Sequence, residues 1–312
     1  MKICMIGLGS IGERHLKNLT GVLERRKIKY QIDAVRSSHK VLKKGYSDII
    51  QKQYYDWMEM PNDYDIVFVT NPTSLHYDTI RAVAGKTKHM FIEKPIFDSD
   101  DYNLEALGLK QDGLYYVACP LRHKSIMKYV KKNIMKYEKI IAARMISTSY
   151  LPLWRKKVDY RTAYSSKKSM GGGVTLDLIH EWDYAIYLFG CPDRVINMKA
   201  HISDLEIDCD DISVYIATYP EMVLEMHLDY IGHKTERILQ LFTNEKRIDV
   251  DLVEDLICEY KNNVLTQKQQ FPTEDFYVNE MEYFFDCVEG KVKNPNTVAN
   301  AYNTLKIALT KE

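Results

Sequence analysis

Residues 2–12 read KICMIGLGSIG, and they are the clearest indication of how the first part of the chain folds. Its first part, residues 2–6, is a short apolar run that leads straight into a glycine-rich turn. After the turn, residues 11–23 carry apolar side chains at helical spacing. A strand, a glycine turn and a helix in this order are typical of the first unit of a doubly wound α/β domain. The stretch therefore predicts a sheet domain that binds a dinucleotide.

Each glycine of the turn has its own physical reason. Gly7 permits the tight turn, Gly9 lets the backbone approach a pyrophosphate, and Gly12 lets the helix pack against the sheet. The N-terminus of the helix then offers N–H groups and the positive end of its dipole to the phosphates. The predicted phosphate-binding residues are Gly7, Gly9, Ser10, Ile11 and Gly12.

Strands and helices alternate through the first part of the chain. Beyond the first strand, near-continuous apolar runs separated by helical segments indicate a parallel sheet that is covered on both faces. We therefore predict an α/β Rossmann domain, a doubly wound parallel sheet, over residues 1–121. The later strands of this domain are predicted at residues 31–35, 65–70, 89–92 and 115–118.

The pattern changes in the rest of the chain, residues 122–312. Long alternating strands with short turns indicate an α+β domain built on an antiparallel sheet. One main helix is predicted over residues 176–189. The final segments, 277–288 and 296–309, return to helical spacing, and the C-terminal helix is a candidate to pack back on the first domain. The predicted strands of the second domain are residues 140–149, 212–219, 223–230, 238–242, 247–250 and 256–260.

The composition argues against several classes of protein. The 43 basic and 43 acidic residues cancel, so neither nucleic acid nor an anionic membrane is expected as a partner. The six cysteines have no C-x-x-C spacing and the histidines show no ligand spacing, so no metal is expected. The first strand begins directly after Met1, which leaves no room for a signal peptide, and no apolar run approaches the ~20 residues that span a bilayer. We expect a cytoplasmic protein.

The end of the second predicted strand bears on the cofactor. An enzyme that uses NAD usually has Asp or Glu there, which accepts hydrogen bonds from the ribose hydroxyls. Here Arg36 occupies that place and is followed by Ser37 and Ser38, a combination suited to a 2′-phosphate. Asp33 is the competing acidic candidate, but it lies inside the predicted strand. The sequence therefore favours NADP over NAD.

A lysine follows the fourth predicted strand, in the tripeptide Glu93-Lys94-Pro95. Open α/β sheets bind their ligands at the carboxyl ends of the strands, so we expect Lys94 in the ligand crevice. Pro95 fixes the backbone directly after the lysine and permits a cis bond at modest cost. The tripeptide alone would also fit a solvated strand end, but its position downstream of the glycine turn favours a functional lysine.

Several motifs in order make the chain resemble the Gfo/Idh/MocA oxidoreductases, named after glucose–fructose oxidoreductase and inositol dehydrogenase. The resemblance covers essentially the whole chain. It implies a Rossmann domain joined to a domain with a large open, mostly antiparallel sheet, whose flat face forms a homodimer or homotetramer. The motifs are the turn at residues 7–12 with His15, Asn71-Pro72-Thr73 with His76, Glu93-Lys94-Pro95, Arg122, the triple glycine at residues 171–173, and Asp177 with His180.

The resemblance also implies roles for individual residues. In the family, the lysine of the tripeptide lies between nicotinamide and substrate, so Lys94 is expected to hydrogen-bond the reacting hydroxyl. The helical histidine is the usual proton acceptor, which corresponds to His180, and oxidation of an alcohol needs such a base. A satisfied structural histidine is the alternative for His180. The residues that the resemblance implies along the cofactor are Asn71, Pro72, Thr73, His76, Glu93, Lys94 and Arg122.

An aspartate close to this histidine is a secondary candidate for a catalytic role. Some dehydrogenases of the family carry it four residues before the histidine, where this chain has Leu176. Asp177 is three residues before His180, a spacing that still places both on one face of the predicted helix. Asp183 is an equally plausible partner of the histidine, or a structural acid.

Residues 150–164 bear on the substrate, because they look like a signature of a bacterial subgroup linked to surface-sugar and sugar-nucleotide metabolism. Trp154 can stack on the apolar face of a sugar, while Arg155 and Arg161 can hold a phosphate or a carboxylate. Tyr164 adds a hydroxyl to the same segment. The alternative is an ordinary surface loop that closes a domain interface.

The leading hypothesis is an NADP- or NAD-dependent dehydrogenase that acts on a hydroxyl or keto carbon of a sugar derivative. A sugar nucleotide of bacterial surface-glycan biosynthesis is the candidate substrate. Two alternatives stay open. One is a relative that uses a tightly bound cofactor transiently for a net non-redox reaction, such as an epimerase, lyase or hydrolase. The other is a redox-inert sensor that binds a dinucleotide.

Overall fold

Two compact units share the chain in the computed structural model, which describes residues 1–39, 41–43, 45–136, 138–155 and 158–311. The first unit comprises Met1–Pro120 and Asp275–Asn303. The second comprises Leu121–Glu274 and Thr304–Glu312. The chain therefore leaves the first unit after Pro120 and returns to it near its C-terminus.

Strands and helices cover most of the described residues. The described part of the chain contains no helix that is both long and apolar enough to cross a membrane. The strands are β1 (Lys2–Ile6), β2 (Gln31–Val35), β3 (Ile50–Tyr54), β4 (Tyr64–Val69), β5 (Thr87–Ile92), β6 (Leu114–Val117), β7 (Ala142–Tyr150), β8 (Arg194–Ala200), β9 (Ile212–Tyr219), β10 (Met222–Asp229), β11 (Ile231–Phe242), β12 (Arg247–Asp251), β13 (Leu256–Lys261) and β14 (Val264–Gln270). The α-helices are α1 (Ser10–Arg25), α2 (His76–Val83), α3 (Ser125–Asn133), α4 (Val174–Asp177), α5 (His180–Phe189), α6 (Phe276–Val288) and α7 (Val298–Ala308).

The first unit is built on a parallel sheet with the strand order β3-β2-β1-β4-β5-β6. The order reverses between β1 and β4, and this is the topological switch point at which open α/β sheets bind ligands. The glycine turn follows β1, and Asn71 follows β4. Both segments therefore lie at the carboxyl edge of the sheet, beside the switch point.

Helix α6 completes the core of the first unit although it comes from the far end of the sequence. Phe284 is fully buried, and its ring lies 5.9, 5.3 and 5.7 Å from the rings of Phe68, Phe91 and Tyr116. Each such burial stabilises the unit by roughly 1.5–3 kcal/mol relative to exposure. The sheet of residues 1–120 is thus covered on one face by a helix that the chain supplies only after residue 275.

The second unit is built on a sheet with the strand order β14-β13-β12-β11-β7-β10-β9-β8. Strands β7 and β10 pair in parallel, and the other pairs of neighbouring strands are antiparallel. Side chains alternate between a buried and a more exposed face, as along β10. On the buried face, the ring of Trp182 from α5 meets Tyr215 edge-on at 5.2 Å. Helix α5 therefore packs directly on this sheet.

The fold class predicted from the sequence is confirmed, with additions at the sheet edges. A Rossmann sheet and a large, mostly antiparallel sheet are both present. Strands β3, β8 and β14 are additional to the predicted strands. They are edge strands of their sheets, and most of their side chains are exposed. Apolar periodicity is weak where few side chains are buried, so the pattern did not reveal them.

The predicted helix over residues 176–189 is wrong in one respect, because the structure divides it into α4 and α5. Leu178 leaves the helical region, with φ −96° and ψ 23°. Around Leu178, backbone hydrogen bonds join residues three apart, as in a 3₁₀ turn, instead of four apart. One example is the hydrogen bond from Glu181 N to Leu178 O at 3.0 Å. Asp177 therefore ends α4 and His180 begins α5. The two residues do not share one face of a continuous helix.

Candidate functional site

The glycine turn has the geometry that its spacing predicted. Gly7 has φ +90°, and a Cβ there would lie 2.7 Å from the backbone nitrogen of Asn71. A Cβ at Gly12 would lie 2.3 Å from the carbonyl oxygen of Gly7. At Gly9, by contrast, no described atom lies within 4 Å of an added Cβ. Two of the glycines are needed for close packing, and the third faces open space.

The N-terminus of α1 faces this open space. Gly9 is the N-cap, so no side chain caps the helix there, and Ser10 and Ile11 are its first two residues. The first N–H groups of a helix have no partner within the helix and attract anions. The turn therefore fits the pyrophosphate of a dinucleotide, with the backbone of residues 9–12 as the donor set.

The end of β2 carries the basic residue that the sequence assigned to it. Asp33 lies inside the strand, fully buried, and accepts a hydrogen bond from the Tyr64 hydroxyl at 2.7 Å. Arg36 follows the strand, and its Nη1 donates to Oε1 of Gln53 at 2.6 Å. Ser37 and Ser38 come next in the chain. Asp33 is therefore occupied as an internal acceptor, whereas Arg36 lies at the strand end.

The loop after β4 is tied to the segment after β5 by a buried histidine. Nε2 of His76 lies 3.0 Å from the Asn71 carbonyl, and Nδ1 lies 3.0 Å from the Pro95 carbonyl and 3.2 Å from that of Ile96. Burial lowers the pKa of His76. The Asn71 amide donates to the Thr79 hydroxyl at 2.8 Å. His76 thus holds the Asn71-Pro72-Thr73 loop in place.

The tripeptide after β5 is organised around a buried carboxylate. Oε1 of Glu93 is hydrogen-bonded to Nε2 of His15, and Oε2 accepts the backbone N–H of Lys94 at 3.1 Å. Burial would raise the pKa of Glu93, but the hydrogen bond and charge of His15, together with Lys94, hold it below its usual value. The bond between Lys94 and Pro95 is cis. Lys94 itself is half-buried.

In the second unit, Asp177 belongs to a buried cluster of aromatic residues. The Tyr230 hydroxyl donates to Oδ2 of Asp177 at 2.6 Å, and Tyr164 interacts electrostatically with the same carboxylate. Burial and the neighbouring Asp177 raise the pKa of both tyrosines well above the usual value. His180 is buried at the start of α5. Asp177 therefore has two tyrosine partners that the sequence did not assign to it.

Two of the predicted substrate residues, Trp154 and Arg155, contact these same tyrosines. The Trp154 ring meets Tyr230 edge-on at 5.1 Å, and its Nε1 donates to the Ser149 hydroxyl at 2.8 Å. The Arg155 guanidinium lies 5.1 Å from the ring centre of Tyr164. Trp154 and Arg155 also line a small pocket, together with Leu151, Val158, Tyr160, Ala163 and Ser165.

Arg161 lies outside that pocket and is occupied by carboxylates. Its guanidinium contacts Asp159 at 2.8 Å and Glu206 at 3.2 Å, and the side chain is half exposed. Because two acids neutralise the arginine in place, it is less suited than Arg155 to hold an anion of the substrate.

Arg122 is paired within the second unit. Its Nε and Nη2 donate to the two carboxylate oxygens of Asp183, at 2.8 and 2.7 Å, and both side chains are nearly buried. Such a two-point pair fixes the orientation of both groups. The structure thus pairs Asp183, the alternative partner of His180, with Arg122, the predicted cofactor residue.

The triple glycine packs against the Tyr164 segment. A Cβ at Gly172 would lie 2.3 Å from the Tyr164 carbonyl, and one at Gly173, where φ is +116°, would lie 2.5 Å from Oδ1 of Asp210. Asp210 caps α4 by accepting from the backbone N–H of Thr175 at 2.9 Å and from its hydroxyl at 2.6 Å. This aspartate is therefore a structural acceptor.

Several supporting residues were not predicted as site residues. His15, Gln53, Tyr230 and Asp210 each bind a predicted residue or its helix. His15 was noted with the glycine motif that carries the family resemblance, but it was given no role. Gln53 lies on an unpredicted edge strand, and Tyr230 is separated from Asp177 by more than fifty residues, so local sequence carries no signal for them.

Residues 1–106 match the sequence model of a family described as an oxidoreductase family with an NAD-binding Rossmann fold. Two curated relatives align at 29% identity. An uncharacterised oxidoreductase, YrbE, of Bacillus subtilis aligns over 191 residues, 60% of this chain and 53% of its own. A myo-inositol 2-dehydrogenase of Thermotoga maritima aligns over 199 residues, 61% and 55%. The aligned region thus spans about half the length of these relatives.

Solved structures share the fold over nearly the whole chain. A levoglucosan dehydrogenase in complex with NADH has a TM-score of 0.83 at 16% identity, covering 99% of this chain and 95% of its own. The WlbA dehydrogenase of Bordetella pertussis, in complex with NADH and UDP-GlcNAcA, has a TM-score of 0.78 at 15% identity, covering 98% and 94%. At these identities, the likeness establishes the fold alone.

Proposed function

We propose that the chain, whose residues 1–106 match the model of the Gfo/Idh/MocA oxidoreductase family, transfers hydride between a nicotinamide cofactor and a sugar derivative. The reacting carbon is a secondary alcohol or the corresponding ketone. When bound, the dinucleotide supplies the hydride acceptor or donor. The observation that carries the proposal is Lys94, half-buried at the carboxyl end of β5 in a sheet whose glycine turn leaves Gly9 facing open space.

The proposed roles follow the chemistry of alcohol oxidation, in which a proton must leave the hydroxyl as hydride leaves the carbon. The Lys94 ammonium donates a hydrogen bond to the reacting oxygen. His180 exchanges the proton, because an imidazole can accept a proton in one direction of the reaction and donate it in the other. Asp177 supports this region through its two tyrosines. It is not proposed to exchange the proton itself.

We propose NADP as the preferred cofactor. Arg36 lies at the end of β2 where an acidic residue would bind the ribose of NAD, and the acidic competitor Asp33 is buried against Tyr64. Ser37 and Ser38 add hydroxyls for a 2′-phosphate. Asn71, Pro72, Thr73, His76, Glu93 and Arg122 are the further residues proposed along or behind the cofactor.

The proposed substrate class is a sugar derivative that carries an anion, with a sugar nucleotide as the leading candidate. Trp154 offers an aromatic face, and Arg155, held over Tyr164, offers a charged fork. One structure of similar fold has UDP-GlcNAcA bound, which supports this class without assigning it. Arg161 is the second candidate for the anion, after Arg155.

We also propose a homodimer or homotetramer formed through the second sheet. Apolar side chains on its more open face support this, since Ile196, Met198 and Ile216 are 41%, 61% and 49% exposed. Light scattering on the purified protein tests the proposal. A monomer over the whole concentration range would exclude it.

The test of the reaction is Lys94→Met, measured with NADPH and NADH against a panel of sugars, inositols and sugar nucleotides. We expect hydride transfer to be lost while folding and dinucleotide binding persist. The matched control is Lys88→Met, an exposed lysine on the same strand, which should keep full activity. Undiminished turnover in Lys94→Met would refute the proposed function. A bound cofactor without net change in nicotinamide absorbance would favour the non-redox alternative.

A further inference from the structure

The buried pair of His15 and Glu93 has a geometry that the reaction alone does not explain. His15 lies in the second turn of α1, with its side chain fully buried, and Glu93 is 7% exposed. The His15 ring is enclosed by Phe91 and Tyr277, at centroid distances of 4.9 and 6.1 Å. An ionisable pair in such surroundings is costly unless its hydrogen bonds are well made.

Both oxygens of the Glu93 carboxylate are engaged. One is bonded to Nε2 of His15, and the other accepts the backbone N–H of Lys94 at 3.1 Å. The carboxylate therefore connects two elements, the helix that begins at the glycine turn and the residue that follows β5. The direction of the Lys94 side chain depends on the backbone at Lys94, which this bond restrains.

We propose that His15 is a positioning residue for Lys94 and acts through Glu93. The proposal rests on the proposed function, in which Lys94 contacts the reacting oxygen. Helix α1 begins at the glycine turn that faces the phosphates, and it also contains His15. The same helix therefore helps to form the proposed dinucleotide site and to position Lys94. A displacement of the lysine by 1 Å is enough to lower the rate of a positioned reaction on the order of a hundredfold.

His15 needs only one hydrogen bond for this role. Nδ1 of His15 has no hydrogen-bond partner among the described residues, so Nε2 alone makes the connection. A glutamine can place an amide N–H at a similar reach. His15→Gln is therefore expected to retain the positioning, whereas His15→Leu removes it with little change in volume.

The charged and titratable groups that face Glu93 are His15 from α1, His76 from α2 and Lys94 next to it. In His15→Leu the largest stabilisation of the carboxylate is lost and burial remains, so the pKa of Glu93 should rise. Turnover in that variant should then fall as the pH decreases through this raised pKa. His15→Gln keeps the hydrogen bond but not the charge of His15, so its shift should be smaller than that of His15→Leu, and wild type should show none.

The experiment compares wild type, His15→Leu, His15→Gln and Glu93→Gln. In His15→Leu we expect kcat to fall on the order of a hundredfold with little change in the KM for the dinucleotide, and His15→Gln to restore most of it. Crystal structures of the variants give a readout that needs no substrate, a displacement of Lys94 Nζ in His15→Leu but not in His15→Gln. If His15→Leu does not fold, Glu93→Gln tests the same link, with lower kcat expected.

Three outcomes overturn the inference: an unmoved lysine in His15→Leu, a kcat equal to wild type in that variant, or equal impairment of His15→Gln and His15→Leu. Lys94→Met separates this failure from failure of the proposed function. If Lys94→Met is inactive and His15→Leu is fully active, only the positioning role is wrong. If Lys94→Met is fully active, the proposed function itself is wrong.

Discussion

Among single residues, the glycines of the first turn differ in what surrounds them. Gly12 is pressed against the Gly7 carbonyl, with 2.3 Å to an added Cβ, while Gly9 has no described atom within 4 Å. The close contact at Gly12 belongs to the internal packing of the protein. The open space at Gly9 leaves room for a ligand to approach the backbone. The same residue type therefore serves stability at one position and binding at another.

This difference predicts opposite phenotypes for two alanine variants. Gly12→Ala should lower the free energy of unfolding by about 1–3 kcal/mol, because backbone must move to admit the methyl group. Gly9→Ala should change it by less than about 1 kcal/mol. It should, however, weaken the binding of reduced dinucleotide by about 1–3 kcal/mol, since displaced phosphate leaves N–H groups without an acceptor. Urea unfolding and fluorescence titration measure the two effects. Equal dinucleotide affinity in Gly9→Ala and wild type would contradict the assignment.

Residue identity was sufficient to locate some of the site and not the rest. Gly7, Arg36 and Lys94 could be placed because each follows a strand that the apolar pattern reveals. The partners of Asp177 could not, because Tyr230 reaches it through the tertiary fold. Arg161 carries the right charge for an anion, but its neutralisation by Glu206 involves a residue 45 positions away.

Among the elements, burial decides which could be predicted. Strand β4, inside the first sheet, buries nearly every side chain, and its bounds were predicted to within one residue. The prediction for β11 found only its last five residues, because the first part of this strand is largely exposed. The edge strand β3 buries one residue of five, and β14 is exposed along most of its length. No glycine or proline marks the break between α4 and α5 in the sequence. It lies beside Asp177, whose carboxylate accepts a hydrogen bond from the distant Tyr230.

The edge strand β3 has a consequence for the cofactor, because Gln53 of this strand binds Arg36. Arg36→Leu should weaken NADPH binding about tenfold to a hundredfold, the value of a lost charge-assisted hydrogen bond, and leave NADH binding unchanged. Gln53→Leu should have a smaller effect in the same direction. The control is Arg81→Leu, an exposed arginine on α2. Isothermal titration with both dinucleotides measures the ratio, and equal losses for NADPH and NADH would argue against a 2′-phosphate contact.

For the whole molecule, buried histidines set part of the pH dependence of stability. Burial, with Lys128 and Arg122 nearby, lowers the pKa of His123 from 6.5 to about 3. Burial also lowers the pKa of His76. Because the pKa is lower in the folded protein, the histidine of the unfolded chain binds a proton at pH values where the folded protein keeps it neutral. The associated stability is complete above pH 6.5 and is lost as the pH falls toward the folded value.

We therefore predict that His123→Gln flattens the acid limb of the stability curve. Between pH 6 and pH 4 one proton fewer is taken up on unfolding, so the slope should decrease by about 1.4 kcal/mol per pH unit. Urea unfolding at several pH values measures the slope. Unfolding at about pH 8, where histidine is neutral in both states, gives the separate cost of the substitution. The same slope in wild type and variant would show that His123 is protonated in the folded protein.

The return of the chain to its first unit has a consequence for synthesis. Helix α6 fills the core beside Phe68 and Phe91, yet it emerges from the ribosome only after residues 121–274. The nascent Rossmann sheet must therefore wait, with an apolar face uncovered, while the whole intervening unit is translated. For that interval the growing chain exposes apolar surface of the kind that favours aggregation, and a chain truncated before residue 276 would lack helix α6 on this face of the sheet.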